Sequence, residues 1–163
     1  MFDDLLAANR EYRQRFHDPG VTGRASRGLA VVTCIDTRID PLAMLGLQPG
    51  DAKIIRNAGA RVTDDVLRSL VLATNLLGVA RVCVVHHTEC AVIGSSDDDL
   101  RRRVAEARGV ELDGWAFLGT TDPHGALRAD MERIRTCSLM PPDLVVGAFV
   151  FDVRSGALEP VDL

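Results

Sequence analysis

The feature that most constrains this chain is a repeated alternation. Short runs rich in apolar and β-branched residues, LAVVTCI (29–35), AKIIRNAG (52–59), RVCVVHH (81–87) and LVVGAFVFDV (144–153), are separated by stretches with helical signals. A strand that is apolar on both sides needs cover on both faces, and strands that alternate with helices pair in parallel through crossovers. The expected class is α/β: a mostly parallel β-sheet with helices on both faces. Asp40-Pro41 starts a helix over 40–47 that ends near Gly50, and Thr63 caps one running to Gly78, with Asp64 and Asp65 favoured in its first turn by the helix dipole. Ser96 and Asp97 to Asp99 open another that ends near Gly109, and a further helix spans roughly 124–136. The turn Arg154-Ser155-Gly156 leads into a short return strand to Val161, so an antiparallel last strand is expected.

The first 28 residues stand apart from this pattern. Phe2, Leu5, Leu6, Tyr12 and Phe16 recur at spacings near three and four, the stripe of an amphipathic helix, and DPGVTGRASRG (18–28) then reads as an irregular linker. The division expected is an N-terminal arm and linker over 1–28 and an α/β body over 29–163, within one domain; 163 residues leave hardly any room for two. An apolar helix outside the body needs a surface to cover, and a second copy of the chain offers one.

Composition excludes several classes. With 47% apolar and 26% charged residues the chain is close to an ordinary globular average, far from disordered or disulfide-scaffold compositions. A net charge of −4 is a poor match to nucleic acid, and one Trp, one Tyr and five Phe are too few for a base-stacking platform. No apolar run is long enough to span a membrane, and the acidic start MFDDLLAANREYRQRF lacks the apolar core of a signal peptide. A soluble cytoplasmic protein, with no nucleic-acid and no membrane partner, is the expectation. In that setting the four cysteines should be reduced. Cys83, inside RVCVV, and Cys137, with no partner signal nearby, read as structural.

Chemistry concentrates at two strand ends. Cys34-Ile35-Asp36-Thr37-Arg38 leaves the first strand and His87-Thr88-Glu89-Cys90 leaves the third, and in open α/β sheets sites gather beyond the carboxyl ends of the strands. If those strands are neighbours at the switch point, the clusters face each other. Each residue alone has an ordinary reading: Cys34 as core, Asp36–Arg38 as a surface ion pair, His87 as a satisfied histidine beside His86. Together they form a metal-ligand set, since Cys, Cys and His are zinc donors and an Asp would complete a tetrahedron. Alternate residues of extended chain point the same way, so Cys34, Asp36 and Arg38 can share one pocket. A nucleotide-binding module fits poorly, because neither GxGxxG nor GxxxxGK[ST] occurs.

CIDTR, RNAG (56–59) and HHTEC, in this order and spacing, resemble the zinc-site motifs of the β-class carbonic anhydrases, and the likeness runs from the helical arm to the GAFVFDVRSG strand, as in a small bacterial member of that family. The resemblance implies zinc (Zn2+) held by Cys34, His87 and Cys90, with Asp36 either a fourth ligand in a closed form or the partner of Arg38 in an open one. It implies reversible hydration of CO2 to bicarbonate and a proton through a zinc-bound hydroxide, with Asp36 and Arg38 as catalytic residues. It also implies a homodimer or a dimer of dimers. Carbonyl sulfide or carbon disulfide hydrolysis on the same zinc set is the alternative, as is a catalytically silent zinc protein. Ala91 stands where the family pattern has Gly after the H-x-x-C cysteine, and its methyl bears on the loop beside the metal.

Overall fold

In the structure, a computed structural model that describes residues 1–112 and 114–163, five strands form one sheet in the order β2-β1-β3-β4-β5. They are β1 (Leu29–Cys34), β2 (Ala52–Asn57), β3 (Arg81–His87), β4 (Val145–Phe151) and β5 (Leu158–Pro160). β1 pairs in parallel with β2 and β3, Leu29 lying opposite Ala52 on one side and Arg81 on the other. β4 is parallel to β3, and the antiparallel step falls between β4 and the return strand β5, where Phe149 meets Pro160. The chain leaves β1 for one side and later returns to the other, so the carboxyl ends of β1 and β3 are neighbours. That places CIDTR beside HHTEC.

Every residue of β1 and β3 after the first is buried, as their unbroken apolar runs require. Ala30, Val32, Val82, Val84 and Ala148 pack on one face against Val66, Leu70 and Ala73 of α3 (Asp64–Leu76) and Leu127, Met131 and Ile134 of α5 (Pro123–Arg135). Truncating a fully buried residue such as Leu127 to Ala would cost ~2 to 5 kcal/mol. On the other face Val31, Val85 and Phe151 join Cys34, Ile39, Ala60, Cys90 and Ile93, and Met44 of α2 (Pro41–Met44) packs alongside. The rest of that face, toward Leu29, Cys83, Phe149 and Leu158, is an apolar hollow.

The helix ends follow the sequence signals. Thr63 accepts a bond from the Val66 N–H, Ser96 from the Asp99 N–H at the start of α4 (Asp97–Arg108), and Asp122 from the Gly125 N–H behind Pro123. The expected 40–47 helix is the exception. Asp40 caps it, but it closes after one turn: Gly46, at φ +61°, sends its N–H to Ala43 O (3.2 Å) and Leu47 sends its own to Leu42 O (2.9 Å). That paired closure at a left-handed glycine stops the helix at Gly46, before Gly50 is reached. The arm forms α1 (Asp3–Arg15), none of whose residues is buried.

Candidate metal centre

β1 ends at Cys34 and β3 at His87, and a tight turn carries Cys90 back beside them. Glu89 makes that turn at φ +57°, a left-handed conformation uncommon for a residue with a side chain. The donor atoms of Cys34, His87 and Cys90 lie within 4.8 Å of one another, and all three residues are buried. Each sulfur accepts a backbone N–H at 3.4 Å, Cys34 from Gly59 and Cys90 from Ile93. His87 Nδ1 is 2.9 Å from the Thr88 carbonyl, which can only accept, so the proton belongs on Nδ1. Nε2 is then left with a free lone pair; it is buried and has no hydrogen-bond partner. An orphaned imidazole nitrogen aimed among two thiols suits zinc, whose ligand histidines also bond outward through the other ring nitrogen.

The charges agree. The Cys34 thiol is pulled far down, first by the hydrogen bond from Cys90 and next by His87, against the opposing effect of burial. The Cys90 thiol is pushed up by the same contact with Cys34 and by burial. Burial disfavours a charged His87, but the neighbouring Cys34 sulfur, the Thr88 carbonyl and Asp36 together outweigh it and move the ring upward. Every one of these groups favours positive charge in the pocket.

Asp36 stands at the rim. Arg38 grips it with two bonds, Nε to Oδ1 at 3.0 Å and Nη2 to Oδ2 at 2.8 Å, and the Arg38 backbone N–H adds a third at 2.9 Å. These hold the carboxyl well below the usual carboxylate range. Asp36 Oδ2 is 4.0 Å from His87 Nε2. The clusters expected to face each other do so, with Asp36 paired to Arg38 and outside the three-donor set. Cys83 is a core residue of β3 whose thiol burial pushes up to about 11, and Cys137 is half-buried beyond α5. Ala91 is exposed and keeps an ordinary φ, so nothing in its backbone calls for the glycine of the family pattern.

Three supporting residues have no role assigned from the sequence, although Glu89 and Arg56 lie within the HHTEC and RNAG motifs. Glu89 bonds Arg38 Nη1 (2.9 Å) with one oxygen and Arg154 Nε (2.8 Å) with the other. Arg56 reaches the carbonyls of Cys34 (2.8 Å) and Asp36 (2.7 Å), fixing the strand exit. Asp130, buried on α5, takes Arg61 Nε at 2.7 Å and the Val62 N–H at 2.9 Å. Its signal is a lone acidic residue within the apolar stripe Leu127, Met131, Ile134.

A sequence model of the carbonic anhydrase family matches residues 29–115. β-Carbonic anhydrase 1 of Mycobacterium tuberculosis is 36% identical over 159 residues, covering 98% of this chain and 96% of its own. The crystal structure of carbonic anhydrase from Streptococcus mutans superposes with a TM-score of 0.91 at 33% identity, over 99% of this chain and 97% of that one. A carbon disulfide hydrolase of Saccharolobus solfataricus is more distant, 28% identical over 157 residues, covering 82% of this chain and 76% of its own. With this identity along nearly its whole length, on the same fold, the chain belongs to the β-class carbonic anhydrase family.

Proposed function

We propose that the chain catalyses the reversible hydration of CO2 to bicarbonate and a proton, with zinc held by Cys34, His87 and Cys90. The observation that carries this is the convergence of two thiols and an orphaned, buried imidazole nitrogen at the joined ends of β1 and β3. Bound there, zinc supplies a nucleophile near neutral pH by lowering the pKa of water. The protein's own groups do the rest. Asp36, kept ionised by Arg38, is an acceptor only, and it would orient the attacking oxygen by accepting a hydrogen bond from it. Arg38 keeps that carboxylate away from the metal. The pairing found supports the open arrangement; in a closed one Asp36 would leave Arg38 and become a fourth ligand.

Stopped-flow CO2 hydration, with zinc content measured on the same sample, tests this reading. One zinc per chain with rapid hydration is expected. Zinc without hydration would overturn it in favour of a silent zinc protein. Parallel assays with carbon disulfide and carbonyl sulfide address the second reading, which the relatives named carbon disulfide hydrolases favour.

The same reading includes a homodimer or a dimer of dimers in the cytoplasm, in keeping with four free cysteines. Phe2, Leu5, Leu6, Tyr12 and Phe16 of the arm are each more than half exposed, and the apolar hollow on the second sheet face is of matching character. Deleting residues 1–20 should weaken the dimer in sedimentation; an unchanged dimer would remove the arm from the interface.

A further inference from the structure

Two backbone N–H groups point at the two sulfurs, and both belong to segments that need fastening. The first segment, 57–62, presents Gly59 to Cys34. Ala60 in it is fully buried at φ +57°, a left-handed conformation that a residue with a Cβ adopts only under constraint. The second presents Ile93 to Cys90, and it is braced by 118–120: Ile93 bridges Thr120, and the Gly94 N–H reaches Thr120 O at 2.7 Å. Leu118, two residues before Thr120, is also left-handed at φ +59°. The segments touch at Gly59, where an added Cβ would fall 2.9 Å from Val92 Cγ1, so only glycine permits the approach.

One side-chain pair ties both down. Arg61 gives Nε to Asp130 Oδ2 at 2.7 Å and Nη1 to the Leu118 carbonyl at 2.6 Å. Asp130 takes the Val62 N–H with its other oxygen, and Asn57 closes the first segment on the Arg61 backbone through two bonds of 2.7 and 2.9 Å. The Arg61 and Asp130 side chains are 14% and 2% exposed, so water is a poor substitute for either partner.

We propose that the Arg61–Asp130 pair is a positioning device that holds the Gly59 and Ile93 N–H groups on the Cys34 and Cys90 sulfurs, and so limits how much electron density the two thiolates give to the metal. Two thiolates cancel the charge of a divalent zinc that three imidazoles would leave intact, which makes such a centre a weaker Lewis acid. Hydrogen bonds to thiolate sulfur withdraw part of that density, the means by which proteins tune other sulfur-ligated metals. The inference rests on the three-donor reading of the site.

The test loads the full chain with cobalt in place of zinc and reads the thiolate-to-metal charge-transfer band. Arg61→Lys keeps a cation facing Asp130 but lacks the fork needed to reach Leu118 as well. Asp130→Asn keeps an acceptor for the Val62 N–H and removes the charge that holds Arg61. Both variants should bind one cobalt per chain, with the band moved to longer wavelength because the sulfurs hold their electrons less tightly. Arg133→Ala, on the same helix as Asp130 and breaking only an exposed pair with Asp64 of α3, should leave the band in place. An unmoved band in both variants overturns the proposal. So does loss of the fold or of all metal in Arg61→Lys, which would make the pair a plain structural clasp. A wild-type chain with no such band would instead refute the three-donor reading, and the proposal would fall with it.

Discussion

Two arginine–carboxylate pairs flank the pocket, at nearly the same contact distance and in opposite surroundings. Arg38–Asp36 closes at 2.8 Å with its side chains 41% and 19% exposed; Arg61–Asp130 closes at 2.7 Å with 14% and 2%. At the rim, water can replace a lost partner, so breaking the pair costs little and Asp36 can exchange one cation for another. In the interior nothing replaces the partner, so the arrangement is fixed once folded. On the proposed reading, the adjustable pair sits where Asp36 would choose between Arg38 and the metal. The fixed pair sits behind the walls that must not move.

Breaking the interior pair should give the largest effect. Asp130→Ala leaves Arg61 Nε and the Val62 N–H without their acceptor and removes the countercharge of the guanidinium. It should lower stability by ~3 to 5 kcal/mol, the usual cost of an unpaired buried charge. Urea unfolding measures this, and a loss under ~1 kcal/mol would erase the distinction between the two pairs.

The rim pair should behave in the reverse way. Arg38→Ala should leave the urea midpoint and the zinc content unchanged and cut CO2 hydration by ~10 to 100-fold, the range for groups that orient a metal's ligands or reactants. Asp36 then has no alternative to the metal. Full hydration activity in this variant would end the open-and-closed account. Asp36→Ala should also keep zinc, since three ligands remain; loss of zinc would make Asp36 a permanent ligand.

The rim pair and the donors were legible in the sequence because local geometry places them. Cys34, Asp36 and Arg38 alternate along one strand exit, and His87 and Cys90 are one turn apart. Their meeting needed only the adjacency of β1 and β3, which the α/β pattern supplies. The interior pair was not legible, because Arg61 and Asp130 are 69 positions apart and meet only when α5 docks on the sheet. Spacing carries no such information; the one trace was an acidic residue where the α5 stripe calls for an apolar one. The early stop of α2 was missed for a related reason. Gly46 and Gly50 are both stop signals, and the choice depends on a two-bond closure that composition does not reveal.

A smaller effect concerns acid. Burial opposes the Asp130 charge, but His86, Arg61 and the Val62 N–H outweigh it and hold the carboxyl below its ordinary value. A carboxyl lowered in the folded state contributes stability that is fully present above the unfolded value of ~3.9 and is lost as pH falls through the folded one. In urea unfolding from pH 5 downward, wild type should therefore lose stability faster than Asp130→Asn once pH drops below ~4. Parallel curves would show that Asp130 does not titrate on folding.

The smallest effect expected is at Glu89, and it separates the pairs by salt. Glu89 is held ionised by Arg154 and then Arg38, and it is the only one of the three that touches both others with its side chain. Glu89→Gln keeps the shape and one carbonyl oxygen but drops the charge. Arg38 keeps its grip on Asp36 and a 3.3 Å bond to the Glu89 backbone carbonyl, so the loss should be partial. Hydration should fall less than in Arg38→Ala. At ~1 M salt, where the screening length is ~3 Å, exposed charges no longer support one another, and wild type should approach the variant. The Arg61–Asp130 pair, shielded from ions, should contribute as much at ~1 M salt as at ~0.1 M, so the stability gap between wild type and Asp130→Ala should persist. If Glu89→Gln matches Arg38→Ala, or if its gap from wild type survives at ~1 M salt, the rim network is as rigid as the interior one, and the contrast between an adjustable and a fixed pair fails.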